Sequence, residues 1–259
     1  MHSQTVITMN FDVKKTWNAC GAAFDRFTSA EDSFSENIEW PAVSDMIGSL
    51  EDQRAIDLGC GSGIYSLRFA ERGADVTAFD LSEVMISLAR EKAQERGLNI
   101  DFQVADISRP LAFDRDQFDL VFTATALHYI EDLESFFSEA ARVLKPGGRL
   151  IASVLHPIST ALFAQSDGES VQGHPVYFGS RVRRIETPWL EFGEVSGEGR
   201  EITSFHHTVA DYFNAIRSAG LNVIEMREPH PSKEFAARNA ARYEEALRVP
   251  VYLIFKAAF

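Results

Sequence analysis

From Arg54 to Leu155 the chain alternates short β-branched or aromatic runs with helix-period stretches, the pattern of βαβ units laid on a parallel sheet. Arg54-Ala55-Ile56-Asp57-Leu58 reads as a first strand, and Gly59-Cys60-Gly61-Ser62-Gly63 as the turn after it. A helix then runs through Arg72 to a stop at Gly73, and Asp75 to Phe79 makes a second strand. Ser82 can cap the next helix, which ends near Gly97. Ile100 to Val104 and Phe118 to Ala124 are the third and fourth strands. A helix from about Glu131 to Leu144 follows, and Pro146-Gly147-Gly148 turns into a fifth strand, Arg149 to Leu155.

The alternation then breaks. His156 to Ser204 is rich in Gly, Pro, Ser and aromatic residues without a sustained period, too long for a structureless loop in a compact domain, so a cap-like insertion is expected. Thr208 with Asp211 resembles a capping box, and Val209, Phe213 and Ile216 share a helical face before Gly220. Leu221 to Met226 and Val249 to Lys256 supply two last strands. Asn10 to Leu50, with Trp17, Phe24, Phe27, Phe34 and Trp40, reads as helices over the sheet mouth, either ordinary packing or a lid that excludes water. The expected organisation is a helical lid (1–50), an α/β core (51–155), a substrate-selecting insertion (156–204) and the rest of the core (205–259).

Charge and cysteine content narrow the partners. Twenty-five Lys and Arg against 38 Asp and Glu leave a net charge of −13, which repels a phosphate backbone and makes nucleic acid a poor partner. Cys20 and Cys60 are too few for a disulfide framework and lack metal-ligand spacing. Met1 to Asn10 carries no leader pattern, and the longest apolar stretch, Phe118 to Ile130, is broken by Asp119 and His128. A cytoplasmic protein acting on a small molecule, with no membrane span, is expected.

In the glycine turn, missing side chains let a ligand approach the backbone beyond the carboxyl ends of the strands, where open α/β sheets bind ligands. Ile64 stands where a dinucleotide fingerprint would have glycine, and a mere tight turn remains possible. Asp80 ends the second strand, where a carboxylate can accept both ribose hydroxyls of NAD or of any other adenosine ligand. Asp106 ends the third, where it could accept from an adenine amino group. Alone, each could be a solvated strand-end carboxylate or a helix cap. With the glycine turn they form a constellation at successive strand ends.

Five pieces in this order resemble the class I S-adenosylmethionine (SAM)-dependent methyltransferases of the small-molecule type: Asp57-Leu58-Gly59-Cys60-Gly61-Ser62-Gly63, Gly73 to Ser82, Ala105-Asp106, Phe118-Asp119-Leu120-Val121 and Arg142 to Gly148. The resemblance covers about Arg54 to Leu155. It implies a doubly wound, Rossmann-like α/β fold with a seven-stranded, mostly parallel sheet whose last strand is antiparallel. It also implies a glycine loop against the amino-acid part of SAM, ribose on Asp80, adenine by Asp106 and a loop oriented by Asp57. The cofactor-binding set so implied is Asp57, Gly59, Cys60, Gly61, Gly63, Asp80, Leu81, Ala105, Asp106, Ile107 and Ala124. The implied reaction moves the methyl of SAM directly to an O, N or C atom of a small molecule, leaves S-adenosylhomocysteine (SAH) and uses no metal.

A sulfonium is already an activated leaving group, so alignment and desolvation can do most of the work. A base, if needed, would be an imidazole or phenol near the methyl. His128 follows the fourth strand and is the first candidate, titrating near ~6.5; His207 and Tyr177 are the second choices. His156 follows the fifth strand, His156, His174 and His230 precede prolines, and the pair His206-His207 lacks helical metal-ligand spacing. A structural role is the ordinary one for any single histidine. Arg181, Arg183 and Arg184 make a basic patch, either a solvated face or a site for an acidic substrate group.

Competing readings are a nicotinamide oxidoreductase, disfavoured by Ile64, by Asp106 and by Pro146-Gly147-Gly148, a SAM-consuming cyclisation that releases methylthioadenosine, and a noncatalytic SAM-binding regulator. Phe122-Thr123-Ala124-Thr125 lacks the Asn or Asp followed by Pro-Pro and an aromatic expected of base-amino methyltransferases.

Overall fold

The computed structural model describes residues 12–162, 164–165, 176–178, 182–195 and 197–259. Met1 to Asn10, His174 and Arg181 lie outside them. The helices are α1 (Val13–Thr28), α2 (Trp40–Ile47), α3 (Ile64–Ala70), α4 (Glu83–Glu95), α5 (Leu133–Val143), α6 (Pro157–Ala161), α7 (Val209–Ser218), α8 (Lys233–Arg238) and α9 (Ala240–Arg248). The strands are β1 (Arg54–Leu58), β2 (Asp75–Asp80), β3 (Asp101–Val104), β4 (Phe118–Ala124), β5 (Leu144–Leu155), β6 (Ala164–Gln165), β7 (Val182–Glu186), β8 (Glu201–Phe205), β9 (Asn222–Arg227) and β10 (Tyr252–Ala258).

Seven strands form one sheet in the order β3-β2-β1-β4-β5-β10-β9, with β10 antiparallel to both its neighbours and the other pairs parallel. Successive side chains point to opposite faces, and here both faces are covered. Ile56, Val121, Leu150 and Phe255 pack toward α5 and α7, while Ala55, Leu120, Ile151 and Ile254 pack toward α2, α3 and α4. The doubly wound sheet agrees with the expectation. β5 starts earlier than expected, at Leu144, with Lys145 to Gly148 absorbed as an irregularity between Phe118↔Leu144 and Leu120↔Arg149 and with Gly147 at φ 80°.

Ser82 caps α4 through a bond from the Met85 N–H, and Thr208 and Asp211 form the full capping box. On α7, however, Tyr212, Ala215 and Ile216 turn inward while Phe213 is 43% exposed, so the apolar stripe is shifted by one residue from that expected. α8 and α9, between β9 and β10, cover a small core of Ile38, Phe235, Ala246 and Tyr252.

The segment after β5 carries a three-stranded antiparallel sheet in the order β6-β7-β8. With α1 it shares a core of Cys20, Ala23, Trp189, Val195 and Ile202. α1 and this small sheet are therefore one packed unit, whereas α2 contributes Val43, Met46 and Ile47 to the main sheet's core. Arg183 is fully buried on β7 and donates to the Val176 and Val182 carbonyls, which removes it from the expected surface patch. Arg184 pairs with Glu201 at 3.8 Å. Among the described residues no helix is long and apolar enough to cross a membrane.

Candidate active site

Two cavities open at the carboxyl ends of the central strands. The smaller, about 350 Å³, is bordered by Gly59, Asp80, Leu81, Asp106, Ile107 and Ala126. Its outer wall is the start of α1, with Val13, Lys14 and Trp17.

The glycine loop is shaped by close approach. Gly59 and Cys60 donate to the Phe79 carbonyl, each at 2.8 Å, and a Cβ on Gly59, at φ 82°, would stand 2.5 Å from the Ala126 methyl. Gly61, at φ 55°, donates to Asp80 Oδ2 at 2.9 Å, and Ser82 donates to Oδ1 at 2.9 Å. Asp80 therefore anchors the loop as well as facing the cleft. Each of its oxygens keeps acceptor capacity beyond those bonds. Burial pushes its pKa above the ordinary carboxylate value. Asp106 accepts from the Ser108 backbone at 3.0 Å, the Ser108 hydroxyl at 2.6 Å and Arg109 at 3.2 Å. Burial opposes its ionisation, but these bonds prevail and its pKa lies below the ordinary value.

Other members of the expected set stand behind the cleft. Asp57 is buried and accepts from the Ser66 hydroxyl at 2.6 Å; burial, reinforced by the nearby Asp80 charge, pushes its pKa up to about 7. Gly63 has left-handed backbone at the start of α3, and its missing side chain admits Ala89 and Phe102. Cys60 and Ala124 pack in the core on the α3 and α4 face, and Ala105 packs on the opposite face. These five support the loop and strand ends and, like Gly61, border neither cavity.

The larger cavity, about 730 Å³, lies between α1 and the small sheet. Trp17, Phe24, Tyr129 and Trp189 line it beside Thr125 and His128, and Asp32, Glu191, Arg242 and Glu245 supply its charged groups. The insertion thus roofs this chamber, and the cleft below Asp80 is closed by α1 instead. Asp25 of α1 receives bonds from Ser62 of the glycine loop and Lys92 of α4, and Asn18 accepts from Ser82 at 2.7 Å, so α1 is fastened to the loop it covers.

His128 borders the chamber as its strand-end position predicted. It is 4% exposed, its buried Nδ1 has no hydrogen-bond partner among the described residues, and burial, reinforced by nearby His207, lowers its pKa to about 3. That direction keeps the imidazole neutral through the physiological range and departs from the ordinary titration near ~6.5. The second choices are corrected as well. His207 borders neither cavity and bonds the Ile130 carbonyl through Nε2 at 2.8 Å. Tyr177 also borders neither, and its hydroxyl accepts from the Val209 N–H at 3.2 Å. His156 caps α6 and pairs with Glu228 at 2.8 Å, and His206 joins Thr160 to the Tyr177 carbonyl; both are structural.

Sequence reasoning missed Ala126 and Ile130 as cleft walls and Thr125 in the chamber, while Trp17, one of the expected lid residues, and Tyr129 border both cavities. The available signal was proximity to the end of the fourth strand, where a turn of unknown path hid their direction.

Comparison with known proteins agrees with this geometry. A family model described as a methyltransferase domain matches residues 56–152. A ubiquinone biosynthesis O-methyltransferase from Coxiella burnetii (strain RSA 331 / Henzerling II) is 34% identical over 183 residues, 68% of this chain and 77% of that enzyme. A demethylmenaquinone methyltransferase from Tropheryma whipplei (strain Twist) is 33% identical over 141 residues, 54% of this chain and 57% of that enzyme. The crystal structure of an S-adenosylmethionine-dependent methyltransferase from Mesorhizobium loti superposes with a TM-score of 0.69 at 31% identity, covering 85% of this chain and 96% of that one.

Proposed function

Since the chain belongs to the class I SAM-dependent methyltransferases, we propose that it methylates a hydroxyl oxygen of a small, apolar, ring-bearing molecule held in the larger cavity. The observation that carries this reading is the uncharged aromatic end of the chamber, where Trp17 and Tyr129 adjoin the smaller cleft and the uncharged ring of His128 packs on Tyr129 at the border. The Coxiella relative's O-methyltransferase name favours oxygen over nitrogen or carbon.

The smaller cleft suits SAM. Gly59 leaves backbone where a side chain would collide with Ala126, and Asp80 and Asp106 offer carboxylate acceptors at successive strand ends. Bound there, SAM supplies a methyl on an activated sulfonium. The chain would bind and orient it: Asp80 would accept from the ribose hydroxyls, Asp106 would meet the adenine, and Leu81 and Ile107 would supply apolar contacts, all four bordering the cleft. Trp17 and Tyr129 separate the reacting centre from water. His128 holds the acceptor hydroxyl as a neutral hydrogen-bonding partner and is not a strong base. The acceptor oxygen would contribute the electron pair of the new C–O bond, the C–S pair would stay on sulfur, and the hydroxyl proton would cross its hydrogen bond to the neutral His128 ring and reach water when the products leave.

The test is incubation with methyl-labelled SAM and matched phenols, anilines and carbon acids, with products identified by mass spectrometry. Label on phenol oxygen supports the reading. Label only on nitrogen or carbon, or methylthioadenosine in place of SAH, overturns it.

A further inference from the structure

Thr125 has backbone that its side chain disfavours. It stands at φ 49°, in the left-handed region, where a β-branched residue is an outlier and glycine or asparagine is usual. The turn requires this conformation: the Thr125 N–H continues the sheet by donating to the Ser153 carbonyl at 2.8 Å, and the next residue, Ala126, then abuts Gly59. The 3-10 turn Leu127–Tyr129 follows and delivers His128 and Tyr129 to the chamber. That explains the φ value but not the threonine. Strain of this kind persists where the surroundings and the task of the site hold it in place.

Thr125 borders the larger cavity, and among the described residues its hydroxyl makes no hydrogen bond. Three residues on, the buried Nδ1 of His128 is also without a partner. Both side chains serve one cavity, beside the aromatic rings of Trp17 and Tyr129. We propose that Thr125 determines acceptor specificity by hydrogen-bonding, together with His128, the hydroxyl that receives the methyl; the inference rests on the hydroxyl reading given above. A hydroxyl acceptor needs one partner that accepts its proton and one that donates to a lone pair. A threonine hydroxyl and a neutral imidazole supply that combination while leaving a second lone pair for the new bond.

Thr125→Val, Thr125→Gly and Thr125→Ser separate this role from a structural one, with catechol and 2-naphthol as acceptor probes. Calorimetry with SAH and thermal melting complete the comparison. Thr125→Val, which keeps the shape and loses the hydroxyl, should lower kcat/KM for the phenols by about tenfold or more with SAH affinity unchanged. Thr125→Ser should rescue most of that loss. Thr125→Gly should melt at or above the wild-type temperature and still lose turnover. Full phenol turnover in Thr125→Val overturns the inference alone, as does a Thr125→Gly protein that melts lower and loses SAH affinity. A wild-type enzyme that methylates neither phenol overturns the hydroxyl reading, and this inference with it.

Discussion

Trp17 of α1 and Tyr129 after β4 meet edge to face with ring centroids 5.5 Å apart, and each borders both cavities. On the proposed reading they stand where the methyl would pass from the smaller cleft to the chamber. Trp17→Ala should join the two spaces and admit water, lowering kcat by roughly 10- to 100-fold through lost alignment. It should also cost about 2 kcal/mol of stability, since Trp17 is only partly buried. Tyr129→Phe keeps the ring and should change kcat far less. Single-turnover kinetics in both variants decide the point; equal losses would mean that the Tyr129 hydroxyl is the important group.

Asp80 holds the glycine loop through Gly61 and faces the cleft. Asp80→Ala should weaken SAH binding about a hundredfold, near 3 kcal/mol, and lower the melting temperature. Calorimetry and melting are to be run on the same sample. A lower melting temperature with unchanged affinity would leave Asp80 a loop anchor only.

Asp57 gives stability a pH dependence of definite sign. Its pKa is about 7 in the folded protein against an ordinary 3.8, so between those values the folded state binds more protons than the unfolded state. Stability from this group therefore falls as pH rises from about 4 to 7 and levels off above. Asp57→Asn removes the effect, and its stability relative to wild type should rise across that window by roughly 4 kcal/mol, at ~1.4 kcal/mol per unit. Urea unfolding of both proteins at pH 5 and pH 8 should capture roughly 3 kcal/mol of it, the two units between pH 5 and 7. A difference independent of pH would show that Asp57 ionises normally.

His128, with its pKa lowered to about 3, should contribute no ionisation to kcat between pH 5 and 8. A rate that rises through pH ~6.5 in wild type and flattens in His128→Gln would restore the general-base role.

Trp189 packs on Trp17, Phe24 and Phe27 from the insertion and borders the chamber but not the smaller cleft. Trp189→Ala should destabilise by about 3 kcal/mol and raise the acceptor KM more than the SAH dissociation constant. A larger change in SAH affinity would mean that the insertion acts chiefly through α1 on cofactor binding.

The sequence by itself located the core strands along the chain, the glycine loop, and Asp80 and Asp106 at strand ends, because alternation, caps and glycine positions are local properties written within a few residues. It also put His128 at a strand end near the chemistry. Only the tertiary structure decided what these groups face. His207 and Tyr177 stood as second choices after His128 in the chain, yet one is turned to the Ile130 carbonyl and the other to the Val209 N–H. The pKa of His128 came from burial, which is set by residues distant in sequence. Likewise, residues up to 172 positions apart, Trp17 and Trp189, stack at 5.8 Å to make α1 and the insertion one roof, a pairing no local pattern encodes because apolar burial is non-directional until the backbone fixes which faces meet.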